Sequence, residues 1–248
     1  MHHLSKRHLG CDGIEQKKTQ KKHTLAKILL GLIAMTIGLT LVFRYLPPPF
    51  FGIMVSRQLV SYQNVKPIHH RFVPLSKISC NLIQAILAAE DQRFGKHNGF
   101  DTEAIKAAVH NNLSGRPLRG GSTISQQTAK NLFLWPSRSW LRKGLEVYFT
   151  FLIERLWSKA RIMEIYLNII EMGDNIYGAE AAAKTYFGKS AIRLTKAESA
   201  LIAAILPSPL RRDPTHPSPR LRKKQRWILD QMARMRPTPL CKASTGNK

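Results

Sequence analysis

Acidic residues are scarce in this 248-residue sequence: 15 Asp and Glu stand against 39 Lys and Arg, a formal net charge of +24. So one-sided a balance calls for a polyanionic partner, whether nucleic acid, an anionic membrane surface or a phosphate-bearing substrate. Cysteine is scarcer still. Cys11, Cys80 and Cys241 are too few for a disulfide framework, and none sits in a C-x-x-C pair, which argues against a zinc site. Cys80 and Cys241 can pair in an oxidising compartment or stay as free thiols, and the sequence leaves both open. Also missing are an internal repeat and any run that alternates as strongly as the helical patterns repeat, so the chain reads as mainly α.

What is present at the N-terminal end is a long apolar run. Ile28–Phe43 contains no charge, and with Leu25, Ala26, Tyr45 and Leu46 it reaches roughly the length of a bilayer-spanning helix. Lys27 and Arg44 fall near its ends, where long side chains reach the headgroups. A buried core helix would carry a polar stripe, and here Thr36 and Thr40 are the only hydroxyls. A cleaved signal peptide would end at an A-x-A-like site, and here Arg44-Tyr45-Leu46 leads into Pro47-Pro48-Pro49. The run is therefore read as a transmembrane signal-anchor over 25–46, behind a basic cytoplasmic tail over 1–24. Lys6, Arg7, Lys17, Lys18, Lys21, Lys22 and Lys27 against Asp12 and Glu15 place that end in the cytoplasm. The rest of the chain, with a remaining charge of +19, is then periplasmic. There it meets lipid headgroups and lipid phosphates, and no nucleic acid. Phe50–Val60 is apolar enough to lie among the headgroups, or else forms a packed helix continuing from the anchor.

The remainder is organised by helix signals. Residues 77–93 carry apolar positions at helical spacing. Asp101 can cap a helix through Asn112, Ser122 one through Leu134, Ser139 a long one through Trp157, and Ser158 the next. Thr195 and Glu198 form a capping-box pattern that Pro207 ends, and a last helix runs from about Pro219 to Met235. Gly120-Gly121 and Gly173-Asp174-Asn175 are loops, and 237–248 reads as a flexible tail.

Three segments carry chemistry. In the first, Glu90 and Asp91 end an apolar helix and precede a loop containing His97 and two glycines. A carboxylate there is partly desolvated, which raises its pKa toward that of a useful general base, although two solvated helix-end charges would give the same spacing. In the second, Gly120-Gly121 leads into a Ser/Thr-capped helix, whose exposed N–H groups can receive phosphate, with Lys130 two turns on; an ordinary capped helix reads the same way. In the third, Arg138, Arg142 and Lys143 surround Glu146, with Arg142 and Glu146 on one face. That set can hold a pyrophosphate, and by itself is equally a solvated salt-bridged face.

Together these residues resemble the peptidoglycan glycosyltransferases, the lysozyme-like domain also found in bifunctional penicillin-binding proteins. The matching segments are Glu90–Gly99, Gly120–Asn131, Arg142–Glu146, Lys159–Asn168 and Tyr177–Lys189, in family order; Ser125 stands where the family usually has Thr. The chain has neither the Ser-x-x-Lys nor the Lys-Thr-Gly of a transpeptidase, so the resemblance is to the monofunctional form. It implies a lysozyme-like helical glycosyltransferase domain over 47–236 behind a single N-terminal transmembrane helix, in the cell inner membrane. It implies lipid II and undecaprenyl-linked glycan as substrates, and it leaves open partner proteins of wall synthesis or division. By that resemblance Glu90 is the base that activates a sugar hydroxyl and Glu146 is the second functional glutamate, orienting the cations or a divalent ion. Ser122, Thr123, Gln127, Lys130, Arg138, Arg142 and Lys143 bind the donor, and Asp91, Arg93, Phe94 and His97 support the loop. A Mg or Mn ion at the donor pyrophosphate is left open, and no other cofactor is implied.

Overall fold

The computed structural model describes residues 8–49, 51–52, 54–56, 67–103, 121–137 and 139–241, with side chains in the first stretch from residue 20 onward. The chain divides into two units, Met1–Leu46 and Pro47–Lys248. The first is one helix, α1 (His8–Tyr45). Within it Gln20–Tyr45 is long and apolar enough to cross a membrane, and its leucines, with Ile28 and Ile33, are exposed, as a lipid-facing helix requires. The hydroxyls of Thr36 and Thr40 donate to the Ile33 and Thr36 carbonyls, so neither is left unmet in hydrocarbon.

The second unit is mainly helical. In α2 (Cys80–Glu90), Ser79 is the cap, its hydroxyl accepting from Asn81 N–H, and Leu82, Ile83, Ile86 and Leu87 fill the core. The helix is shorter at both ends than the periodicity over 77–93 predicts. Leu75–Lys77 is a separate 3₁₀ turn, and the chain leaves the helix at Asp91. α3 (Ile124–Phe133) is capped by Thr123 rather than by Ser122. Thr123 Oγ1 accepts from Gln126 N–H, and Gln126 Oε1 accepts from Thr123 N–H, a closed capping box. Ser122 is left exposed. α4 (Trp140–Leu156) and α5 (Lys159–Ile169) start at the expected caps Ser139 and Ser158. α6 (Ala179–Phe187) follows, then α7 (Lys196–Ile205) behind the Thr195–Glu198 box, and α8 (Pro219–Arg234) behind Ser218, with proline in its first turn. Of the helix expected from Asp101, only 102–103 are described.

A small sheet escapes the sequence reading. β1 (His69–His70) runs parallel to β3 (Ile176–Tyr177), which pairs antiparallel with β2 (Glu171–Gly173) on its other side. Strands of two or three residues are too short to show alternation. The Gly173-Asp174-Asn175 signal is the β2–β3 turn, with Asn175 at φ 55, a conformation asparagine tolerates.

Two packing sets result. α7 lies against α2 and α8, and α8 also against α2; α3 lies against α4 and α5. Glu90 ends a helix of the first set, and Gln127 and Lys130 lie on a helix of the second, so the candidate residues meet where the sets join. Within the second unit, two described residues of the Phe50–Val60 segment favour the packed alternative. Phe51 and Met54 are buried, and the Phe51 ring meets His70 at 5.3 Å and Tyr177 at 5.4 Å edge-on. Phe50, Ile53 and 57–60 lie outside the described residues.

The start of the expected flexible tail is also fastened. Cys241 forms a disulfide with Cys80, Cα–Cα 5.1 Å, across 161 residues of sequence, so the free-thiol alternative is dropped. Residues 242–248 lie outside the described residues. Closing so long a loop restricts the unfolded chain. Cys241→Ser is expected to lower unfolding stability by about 3 kcal/mol, measured by denaturant titration under non-reducing conditions, and reductant should bring the wild type to the level of the variant.

Candidate active site

Asp91 is the first fixed point. It is buried at the C-cap of α2, and both its oxygens lie close to His97 Nε2, at 3.0 and 3.1 Å. Its Oδ2 also accepts from Ile124 N–H, 3.1 Å away, at the start of α3, where a carboxylate faces the positive helix end. The opposite ring nitrogen, His97 Nδ1, accepts from Gly99 N–H at 3.2 Å. That places the ring proton on Nε2, which donates to Asp91. Gly99 has φ 90, and a Cβ there would come within 2.8 Å of Thr150 Cγ2; its carbonyl accepts from the Thr123 hydroxyl at 2.6 Å. Asp91, His97 and Asp101 gather within 4.8 Å, close enough to share an ion, yet both imidazole nitrogens are engaged, with Asp91 and Gly99, and Asp101 faces Arg93.

A second network supports the same loop. Lys159 Nζ donates to the His97 carbonyl and to Glu154, each at 2.7 Å, and lies 4.4 Å from the Phe94 ring centroid. The Ser125 hydroxyl also donates to Glu154, a bond that needs only a hydroxyl and is indifferent to the serine-for-threonine exchange. Arg93 pairs with Asp101 and Glu103.

With Asp91 turned toward His97 and α3, Glu90 is free to face a cavity. Half-buried, it accepts at Oε2 from Gln127 Nε2, 2.9 Å away, and Gln127 Oε1 in turn accepts from the Tyr166 hydroxyl at 3.3 Å. Burial raises the Glu90 pKa above the ordinary carboxylate value; the Gln127 hydrogen bond and the charges of Lys224 and Lys130 oppose this, while Asp91 reinforces it. Burial, with Glu90 and Asp91 nearby, pushes the Tyr166 phenol well up, so it stays a neutral donor. The cavity, about 220 Å³, is lined by Glu90, Gln92, Arg93, Ser122 and Thr123 among others. Thr123 offers it little, because its hydroxyl is spent on the α3 cap and on Gly99.

One turn along α3 from Gln127, Lys130 lines a cavity of about 420 Å³ together with Trp135, Ser137 and Arg142. Burial lowers the Lys130 pKa, with Glu146 pulling it back up and Arg142 and Lys143 pushing it down. Glu146 is buried and holds Lys143 at 2.5 Å and Arg142 at 3.4 Å. Arg142 Nε is buried without a hydrogen-bond partner among the described residues, a donor with capacity to spare for an anion. Arg138 lies outside the described residues. The structure thus sets Glu90, Asp91, Arg93, Ser122 and Thr123 along one cavity, with Gln127 bonded to Glu90 and His97 to Asp91, and Lys130 and Arg142 along a second, with Glu146 holding Arg142 and Lys143.

Three participants were missed in the sequence: Lys224, Tyr166 and Glu154. Lys224 sits on α8 near enough for Glu90 to sense its charge, its Nζ 3.9 Å from the Trp227 ring centroid. The dense basic run 220–226 was the available signal, but nothing local singles out one of its members.

A helical cleft that sets a partly desolvated carboxylate beside a buried cation cluster has the make-up of a group-transfer enzyme. Residues 57–233 match the transglycosylase family, and the chain belongs to it. It is 49% identical over 211 residues to a biosynthetic peptidoglycan transglycosylase of Aeromonas hydrophila, covering 85% of this chain and 90% of the relative. A protein of the same name from Shewanella oneidensis is 47% identical, covering 85% and 91%. One from Caulobacter vibrioides is 53% identical over 190 residues, covering 77% and 81%.

Replacing Asp91 by Asn turns one of its acceptor oxygens into a donor facing the N–H groups of His97 and Ile124. Asp91→Asn is expected to cost about 2 kcal/mol of unfolding free energy, read from denaturant unfolding, with loss of activity beyond what instability explains.

Proposed function

We propose that this chain polymerises lipid II into β-1,4 glycan strands, inverting at the anomeric carbon and releasing undecaprenyl pyrophosphate. The observation that carries this reading is the placement along α3 of a raised-pKa Glu90 and a cation pocket whose Arg142 Nε has no partner among the described residues. Glu90 takes the proton from the acceptor sugar hydroxyl as its oxygen attacks the donor anomeric carbon. The bond from that carbon to the pyrophosphate breaks on the opposite face. This is the logic of an inverting glycosidase with a sugar hydroxyl in place of water. Gln127, itself held by Tyr166, orients Glu90 through a single hydrogen bond from a neutral amide, which lowers the Glu90 pKa by less than burial raises it. Lys130, Arg142 and Lys143 take up the charge of the leaving pyrophosphate. An arriving phosphate reverses the depression of the Lys130 pKa, because a nearby anion favours the charged amine. Glu146 keeps Arg142 and Lys143 oriented, and Ser122 borders the cavity of Glu90.

The residues do not make a resident metal site. Among the described residues Glu146 is the carboxylate paired with this cluster, and both its oxygens already hold cations. A Mg or Mn ion entering with the pyrophosphate would be held chiefly by phosphate oxygens, and no step above is routed through it.

We place the catalytic unit on the periplasmic face of the inner membrane, with the basic N-terminal end in the cytoplasm. The Cys80–Cys241 disulfide supports this, because such bonds persist in oxidising compartments. A membrane-anchored catalytic unit also suits a lipid-linked substrate that does not leave the bilayer.

With purified full-length protein and lipid II, Glu90→Gln is expected to lose about 10³-fold or more in rate while still binding substrate; retained polymerisation would exclude Glu90 as the base, and release of fragments from finished glycan would indicate a hydrolase. A base acts in its ionised form, so activity should rise with pH through the raised Glu90 pKa. Gln127→Ala removes a bond that lowers that pKa, and the acidic limb of the pH–rate profile should move upward.

A further inference from the structure

A cavity of about 860 Å³ adjoins the Glu90 site and plays no part in the chemistry above. Gln92 lines both cavities. One wall is the loop after α2, with Phe94 and Lys96, and the opposite wall is Met235–Leu240, carrying Arg236. Lys159 closes a third side, and among the described residues no acidic side chain lines the space. Lys159 is already committed to Glu154 and the His97 carbonyl. Lys96 and Arg236 are exposed, and no acidic partner is found for either among the described residues. The rest of the lining, Leu87, Phe94, Met235 and Leu240 among it, is largely apolar. The volume is that of a small-molecule site.

The far wall is built rather than loose. Pro237 and Pro239 restrict its backbone, and the disulfide of Cys241, one residue beyond Leu240, ties it to the first residue of α2. The wall therefore shares an anchor with the helix that ends at Glu90. A cavity with two unpaired cations at its rim, an apolar body and a preorganised wall suits a carboxylate carried on a short, partly apolar chain.

We propose that this cavity is a subsite for the acidic peptide borne by the lipid-linked disaccharide. The sugar lies at Glu90, the peptide passes Gln92, and a peptide carboxylate meets Lys96 and Arg236 while its side chains cover Phe94 and Leu240. This rests on the substrate reading given above, and it adds a specificity that the glycosyl transfer itself does not require.

The test is equilibrium binding of two probes, lipid II with its peptide carboxylates free and lipid II with them amidated, in neutral detergent. The full-length protein carries Glu90→Gln, which prevents turnover during the measurement. The acid form is expected to bind about fivefold more tightly than the amide, the scale of two exposed ion pairs. Adding Lys96→Gln and Arg236→Gln should bring the two probes to equal affinity; both residues are exposed, so the fold is retained, which circular dichroism verifies. Equal affinity before those changes, or a preference that survives them, overturns the subsite. Failure of the substrate reading shows separately, as wild-type protein that binds lipid II with this preference yet does not polymerise it.

Discussion

Asp91 sits where three parts of the structure must agree. It ends α2, accepts the imidazole proton of His97, and receives the first N–H of α3. A buried carboxylate must be matched by donors, and each donor here comes from a different segment. Satisfying Asp91 therefore closes the loop after α2 onto the start of α3, and the same closure turns Glu90 toward Gln127. The Thr123 hydroxyl, bonded to the Gly99 carbonyl, repeats the tie one residue earlier in α3. Two adjacent carboxylates thus separate into different roles, one saturated with donors and one held by a single neutral amide.

The excess of positive charge is put to a specific use near the site. Lys130, Arg142 and Lys143 repel one another, and burial works against the Lys130 charge. One buried carboxylate, Glu146, is the only acid that holds any of them by a direct ion pair among the described residues. Such a cluster is under-compensated without an anion, so binding a pyrophosphate relieves repulsion that the fold imposes. Glu146 limits that repulsion without cancelling it, which leaves the cluster positive.

Much of this was legible locally. The anchor follows from an uninterrupted apolar run, and the caps at Ser139, Ser158 and Thr195 follow from side chains that satisfy helix N–H groups a few residues away. The same reasoning chose Ser122 over Thr123, because both precede an apolar run and only the Gln126 partner at the correct distance decides between them. The Phe51 segment was left with two readings for a related reason. An apolar residue near a membrane anchor can cover lipid or core, and its contact with His70 and Tyr177 comes from strands too short to leave a pattern. Lys224 and Tyr166 went unnoticed, since what matters about each is its proximity to Glu90, from α8 and α5 respectively.

The sequence by itself determined what depends on neighbouring residues: the membrane-spanning length, the helix starts, and the pairing of Arg142 with Glu146 one turn apart. Tertiary structure decided what depends on distant ones. It joined Cys80 to Cys241, brought Gln127 between Tyr166 and Glu90, and committed Asp91 while leaving Glu90 available. The physical reason is desolvation. Whether a charge is a base, an ion-pair partner or a solvated surface group depends on which segments exclude water from it, and those segments are assembled only by the fold.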